Sequence, residues 1–187
     1  MLARIAGDEL RIRRVVTGLD AAGHSVVVSD AIAPRFHDFA SIPGMSETLV
    51  WETRPGEPIP TNAADTTLET TSLVAARGAT QLKIVRFVPD SVFADPSFDP
   101  AAAAVEQAAA QPGLAELFEP DAPGMHTTPT IDYALVLEGE ITLELDDGVL
   151  LPIARGEVVV QNGTRHAWRN LTSEPATVAF SVVGSSD

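Results

Sequence analysis

Short apolar segments separated by tight turns dominate residues 130–170, and they most constrain how this chain can fold. Apolar runs at 134–137, 141–145 and 158–160 alternate with the turn sequences Glu138-Gly139 and Asp146-Asp147-Gly148. Short strands joined by tight turns at near-regular spacing are typical of antiparallel barrels and sandwiches. The sequence therefore predicts an all-β domain over this part of the chain.

Three side chains that bind metal ions well lie towards the two ends of this stretch. They are His126, Asp132 and His166. Along a straight strand His126 and Asp132 would lie about 20 Å apart, at roughly 3.3 Å per residue. Pro129 favours a break after Thr128, because proline lacks the N–H that a central strand needs. With the chain turning there, and with a closed barrel joining its ends, the three side chains could converge.

The stretch resembles the paired motifs of the cupin superfamily. In the first motif a glycine and a His-x-His pair precede a carboxylate and a closing glycine, and in the second a Pro-x-Gly turn precedes a histidine and an asparagine. The matching residues here are His126, Asp132, Gly139, Gly156, Gly163, His166 and Asn170. The pattern departs at Thr128, which replaces the second histidine, at Asp132, which replaces a glutamate, and at Gln161, which replaces the proline. The resemblance covers roughly the last hundred residues.

The resemblance implies a cupin-type antiparallel β-barrel, or jelly roll, over residues 81–187. Residues 1–80 are predicted to form an N-terminal β-rich extension that packs on the barrel, so that the whole is a single compact domain. Within the extension, residues 11–17 and 25–29 flank a turn at 20–23 and predict a hairpin. Residues 48–52 predict a short strand.

Turn residues predict two loops in the extension, and capping residues predict one helix after it. Residues 31–47 and 53–66 contain prolines and no hydrophobic period, so loops are predicted there. A strand is predicted at 82–88. Asp99 can cap, and Pro100 can begin, one short helix that runs over 101–110.

The resemblance implies a divalent metal ion bound by His126, Asp132 and His166. Two histidines and one carboxylate form the facial set of non-haem Fe(II) enzymes, and the set also suits Mn, Zn or Ni. Thr128 is a poor ligand, so three protein ligands are expected, with positions open for substrate. Taken singly, either histidine could be structural, whereas an unpaired Asp132 is expensive to bury. The alternative is a degenerate cupin that has kept its fold and lost its metal.

Four residues are candidates for contact with a small-molecule substrate. Thr128 would be a polar neighbour of the metal. Arg165 could meet an anionic group or remain a solvated turn residue, and Trp168 could wall the pocket or serve as a core aromatic. Arg86 could hold a carboxylate through paired N–H groups if it points inward, which the apolar pattern of its strand does not decide. Tyr133 is expected to face away from the metal.

Two classes of function follow from this reading. The first is a metal-dependent enzyme in which the ion acts as a Lewis acid on a carboxylate, keto or enol substrate, in oxygenase, lyase, decarboxylase or isomerase chemistry. The second is a non-catalytic cupin that binds or senses a small metabolite. The fold alone does not choose between them.

Composition indicates which binding partners and which cellular compartment to expect for this protein. Lys plus Arg is 12 and Asp plus Glu is 26, a net charge of −14, which disfavours nucleic-acid and anionic membrane surfaces. There is no cysteine, so disulfides and thiolate metal sites are excluded. No signal-peptide core and no apolar run near the ~20 residues of a membrane helix is present. We expect a cytoplasmic homodimer whose strands or arms cover one another's edges.

Overall fold

A computed structural model of the protein describes residues 10–56 and 65–185. These residues form eleven strands and one α-helix, which account for about half of the described chain. The strands are β1 (Arg13–Leu19), β2 (Ser25–Ile32), β3 (Arg35–Asp38), β4 (Ser46–Thr53), β5 (Thr80–Phe87), β6 (Thr130–Glu138), β7 (Glu140–Glu144), β8 (Leu150–Ala154), β9 (Val158–Asn162), β10 (Ala167–Arg169) and β11 (Ala176–Gly184), and the helix is α1 (Pro100–Ala110).

The strands form two facing sheets and one separate hairpin. The larger sheet has the order β3-β4-β5-β11-β6-β9, the smaller has the order β10-β7-β8, and β1 pairs with β2. All of these pairs are antiparallel. The main core lies between the sheets, where Val136, Val178 and Phe180 of the larger sheet pack with Ile141 and Trp168 of the smaller. The predicted fold class, an all-β cupin-type jelly roll with a β extension and one short helix, is confirmed, although the two sheets do not share hydrogen bonds that would close them into one cylinder.

Alternation along β6 decides which side chains enter the interior. Thr130, Ala134 and Val136 are buried, whereas Tyr133 and Leu135 are exposed. Because successive side chains of a strand point to opposite faces, Asp132 shares the interior face with the buried residues. Tyr133 faces outward, as predicted.

The N-terminal part is more regular than the sequence indicates. The predicted hairpin is present as β1 and β2, but the loop predicted over 31–47 is wrong in part, because β3 lies at Arg35–Asp38. This strand has only four residues and pairs only with β4, at the sheet edge. Its formation therefore depends on a distant partner and not on a local period. Residues 57–64 of the second predicted loop lie outside the described residues.

The strands β3 and β4 extend the larger sheet through β5. Outside the main core, Leu10 and Ile12 pack with Val50 of β4 and Ile84 of β5 in a second apolar cluster. The division of the chain at residue 80 stays a prediction.

The helix begins as predicted. The Asp99 carboxylate accepts hydrogen bonds from the backbone N–H groups of Ala101 at 2.9 Å and Ala102 at 3.1 Å. No helix in the described part of the chain is long and apolar enough to cross a membrane.

Apolar side chains remain exposed on the outer face of β6 and β9. Tyr133 lies opposite Val160, and Leu135 lies opposite Val158, and all four are more than a third exposed. A face of this kind suits association with a second copy. The homodimer stays a prediction.

Candidate metal and substrate site

The structure brings His126 and His166 into contact. The backbone N–H of each donates to the carbonyl of the other, at 2.9 Å from His126 and 3.0 Å from His166. The two rings are 4.4 Å apart between centroids. The pair joins the segment before β6 to the segment before β10, so the two predicted motifs meet at one end of the sheets.

Both imidazoles are oriented by main-chain carbonyls. Nδ1 of His126 lies 2.9 Å from the oxygen of Gly124, and Nδ1 of His166 lies 2.9 Å from the oxygen of Thr164. A carbonyl only accepts, so the contact at His126 assigns the proton to Nδ1 and leaves the Nε2 lone pair available. At His166 the Thr164 carbonyl favours the same tautomer, which holds if the N–H groups of the Gln161 amide, whose nitrogen also lies 2.9 Å from Nδ1, are directed at Thr164. This is the arrangement by which metal-binding histidines are commonly held.

Burial keeps both histidines neutral. Desolvation, followed by the neighbouring charge of His166, lowers the pKa of His126 to about 4. Desolvation also lowers the pKa of His166. Neutral imidazole is the form that binds a metal ion, so the two side chains are ready as ligands near neutral pH.

Asp132 supplies a buried carboxylate nearby. It lies opposite Gln161 of β9 and Val182 of β11. Its Oδ1 atom is buried without a hydrogen-bond partner, while the Thr130 hydroxyl bonds the carboxylate. Burial raises the pKa of Asp132, against the opposing effects of Thr130, Lys83 and His166. An unsatisfied carboxylate oxygen in the interior is an atom that a cation would stabilise.

The structure does not complete a three-ligand set. Across residues 10–56 and 65–185, no three His, Cys, Asp or Glu side chains lie close enough to hold one ion. The break predicted near Pro129 is present, since β6 begins only at Thr130. Asp132 nevertheless remains within the sheet, while His126 and His166 pair beyond its end. The donor types suit a divalent cation, and Asp132 would have to reorient to join the histidines.

Of the four predicted substrate contacts, Trp168 lies beside His166, and Thr128 follows His126 by two residues. Trp168 meets His166 edge-on at 5.8 Å and Phe180 at 5.5 Å, measured between ring centroids. Thr128 is buried, and its hydroxyl hydrogen-bonds that of Thr130 at 2.8 Å. Trp168 therefore packs in the main core and also lies beside His166, a candidate metal ligand.

The two arginines lie elsewhere. Arg165 binds both carboxylate oxygens of Glu119, at 2.7 and 2.6 Å, and Oδ1 of Asp146 at 2.6 Å, so its guanidinium already contacts two acidic side chains. Arg86 shares a face of β5 with Ile84, whose contacts are in the second apolar cluster. Arg86 therefore lies on the face of β5 opposite Lys83 and the main core, and its contact with a substrate stays a prediction.

Sequence reasoning missed Lys83. Lys83 is buried on the interior face of β5, and its Nζ donates to the carbonyl of Leu73 at 3.2 Å. Its charge contributes to the lowered pKa of His126 and opposes the raised pKa of Asp132, which places it within electrostatic range of both. A signal was available, because this is the one lysine in 187 residues and it stands in an apolar strand.

Gln161 holds the turn that presents His166. Its amide N–H groups point to the Thr164 carbonyl and, at 2.9 Å, to the Thr164 hydroxyl, and its oxygen accepts from the Gly163 N–H at 2.6 Å. The same amide nitrogen lies 2.9 Å from Nδ1 of His166. The residue that replaces the motif proline thus stabilises the turn by hydrogen bonds.

A separate pocket of about 190 Å³ opens beside α1. Its lining includes His37, Glu47, Leu49 and Leu73, but neither of the paired histidines. His37 contacts Oε1 of Glu106 on the helix at 2.9 Å. This pocket is distinct from the histidine pair, although Leu73 also provides the carbonyl that Lys83 binds.

Known proteins resemble the chain over about a quarter of its length. A phomopsin biosynthesis cluster protein C' of Diaporthe leptostromiformis is 56% identical over 46 residues, which are 25% of this chain and 24% of that protein. A cupin-domain-containing oxidoreductase of Hypocrea virens is 42% identical over 48 residues, 26% of this chain and 25% of the relative. The matches thus span about a quarter of the length of these relatives.

Solved structures give a weaker likeness over more of the chain. The cupin domain of Schizosaccharomyces pombe Cnp3 is 10% identical, with 92% of this chain and 88% of that chain covered and a TM-score of 0.44. The family model described as Cupin domain matches residues 116–183, the range that contains both histidines, Asp132 and the strands β6 to β10. Residues 116–183 of the chain therefore match the family of cupin domains.

Proposed function

We propose that this protein binds a divalent metal ion through His126 and His166, with Asp132 as the third ligand, and acts as an enzyme on a small oxygenated molecule. The observation that carries the proposal is the histidine pair. Its two rings are adjacent, and hydrogen bonds at Nδ1 leave both Nε2 atoms available. Fe, Mn, Zn and Ni all suit such a nitrogen and carboxylate set.

A bound divalent ion would supply a Lewis acid that stabilises negative charge on a carboxylate, keto or enol group. The carbonyls of Gly124 and Thr164 hold the two imidazoles in one tautomer and orientation. Trp168 and Phe180 supply apolar walls on the side of His166. Oxygenase or lyase chemistry suits a set that leaves positions open, and the name of the Hypocrea virens relative favours oxidoreductase chemistry.

Metal analysis of purified protein tests the proposal. We expect near-stoichiometric Fe, Mn, Zn or Ni in the wild-type protein and its loss in His126→Ala and in His166→Ala. His24→Ala is the matched control, because the His24 side chain is 78% exposed on the β1–β2 hairpin. Wild-type protein that takes up no metal after reconstitution would refute the proposal, as would full retention in both site variants.

A non-catalytic metabolite-binding cupin is the second candidate. It is favoured by the lack of a three-ligand cluster among the described residues and by Thr128, which is buried and hydrogen-bonded where a further histidine would stand. Thermal-shift screening of chelator-treated protein separates the two candidates. Metabolites that raise the melting temperature without any metal would favour the binding protein.

A further inference from the structure

The only lysine of the chain is buried between the sheets. Lys83 is 8% exposed, and its strand neighbour two residues on, Val85, belongs to the main core. Phe180 of β11 lies directly opposite Lys83. Lysine is rarely buried unless it is paired, because its ammonium group loses its water.

The ammonium group of Lys83 makes no direct ion pair among the described residues, although Asp132 lies within electrostatic range of it. Nζ donates to one neutral carbonyl, that of Leu73, and no acidic side chain of the described chain lies within ion-pair distance of it. An ammonium offers three N–H donors, so two remain. By contrast, the guanidinium of Arg165 binds two carboxylates near the surface.

A row of aromatic side chains, Phe180 and Trp168, connects Lys83 with the histidine pair. Lys83 is the cross-strand neighbour of Phe180, Phe180 packs against Trp168 at 5.5 Å, and Trp168 packs against His166 at 5.8 Å. The row has a polar residue at each end, Lys83 at one and His166 at the other. A ligand that lies along it would meet a cation at one end and the histidines at the other.

We propose that Lys83 anchors a carboxylate group of the substrate, whose carbon skeleton packs along Phe180 and Trp168 towards His126 and His166. A substrate carboxylate would place a negative charge in direct contact with Nζ and accept its two remaining N–H groups. The inference rests on the proposed function insofar as the bound anion is the substrate. It narrows the substrate class from oxygenated molecules to carboxylates.

Calorimetric titration of metal-free protein tests the anion site. The probes are acetate, malonate and benzoate, with acetamide, malonamide and benzamide as neutral counterparts. We expect the wild-type protein to bind at least one carboxylate and not its amide, and Lys83→Met to weaken that binding by about tenfold or more, the usual effect of a charge-assisted hydrogen bond. Arg155→Met, which removes an exposed positive charge in the β8–β9 turn, should bind like the wild type.

Two results would overturn the proposal. One is a wild-type protein that binds none of the carboxylates or binds the amides equally well. The other is equal carboxylate binding by wild type and Lys83→Met. If Lys83 only stabilises the fold, Lys83→Met should lower the melting temperature. If Lys83 is a substrate anchor without a direct ion pair, Lys83→Met should leave the melting temperature unchanged or raise it.

Chemical labelling provides a check that needs no variant. Because Lys83 is the only lysine, acylation by acetic anhydride can be followed at one peptide by mass spectrometry. We expect the bound carboxylate to slow acylation of Lys83, while its amide does not. Equal acylation rates with and without saturating carboxylate would count against the site.

The metal content of the same variants separates this inference from the proposed function. Lys83→Met should retain the metal that His126→Ala and His166→Ala lose. If the wild type holds no metal but its carboxylate binding depends on Lys83, the enzyme proposal fails and the anion site stands. If metal is present but Lys83→Met binds carboxylates normally, only the anion site fails.

Discussion

Replacing Glu106 by glutamine tests how α1 is fixed to the larger sheet. The Glu106 carboxylate accepts hydrogen bonds from the backbone N–H groups of Ala40 at 2.8 Å and Ser41 at 2.7 Å, and it contacts Nε2 of His37 at 2.9 Å. The side chain is 17% exposed. These contacts hold the helix against the segment that follows β3.

The pKa of Glu106 determines how much its carboxylate stabilises the fold and over which pH range it does so. Burial alone would raise this pKa, but the N–H donors of Ser41 and Ala40 and the contact with His37 lower it from 4.5 to about 2. At about 1.4 kcal/mol per pKa unit the fall corresponds to about 3 kcal/mol, which solvent screening reduces to about 2 kcal/mol. Because the folded-state pKa lies below the unfolded one, this stabilisation is complete above about pH 4.5 and is lost as the pH falls through about 2.

Urea unfolding at pH 7, 4.5 and 3 measures the effect. Glu106→Gln should lower the free energy of unfolding by about 2 kcal/mol at pH 7, with a smaller difference from wild type at pH 3. Glu116→Gln is the control, since Glu116 is an exposed glutamate shortly after α1. A difference that does not change with pH, or one within about 0.5 kcal/mol at pH 7, would refute the reasoning.

Three further substitutions test the turn and corner residues. Gln161→Leu should lower metal affinity by about 10- to 100-fold in a chelator competition, because His166 loses its supporting turn; unchanged affinity would contradict this. Asn170→Asp should lower the free energy of unfolding by about 3 kcal/mol in urea, because its buried amide donates to two carbonyls that would then face an oxygen. Gly139→Ala should cost about 2 kcal/mol more than Gly148→Ala in the same assay. Both glycines have positive φ, but only at Gly139 would a Cβ lie 2.8 Å from the oxygen of Pro175, so equal costs would contradict the clash.

Features that depend on neighbouring residues could be predicted from the sequence. The alternation of apolar runs and turns predicted the all-β fold, and Asp99-Pro100 predicted the start of the helix. The spacing around Pro129 predicted a break before β6. In each case the contact that determines the local structure joins residues that are only a few positions apart in the sequence.

Features that depend on distant partners could not be predicted in this way. β3 forms only because β4 lies beside it, and the acidic partners of Arg165 come from two separate turns. Arg86 and Lys83 are close in the same apolar strand, and the sequence pattern did not tell which of them faces the interior. Only the pairing of β5 with β4 and β11 decides the face.

By itself, the sequence determined that the chain forms a jelly roll and which histidines and carboxylate are available for a metal. Only the tertiary structure decided that His126 and His166 meet, that Asp132 does not complete a three-ligand cluster with them and that Lys83 shares their interior. The reason is geometric. A period of two assigns side chains to alternate faces of a strand, but the core-facing side and the neighbouring strands are chosen by packing and register between segments far apart in the chain.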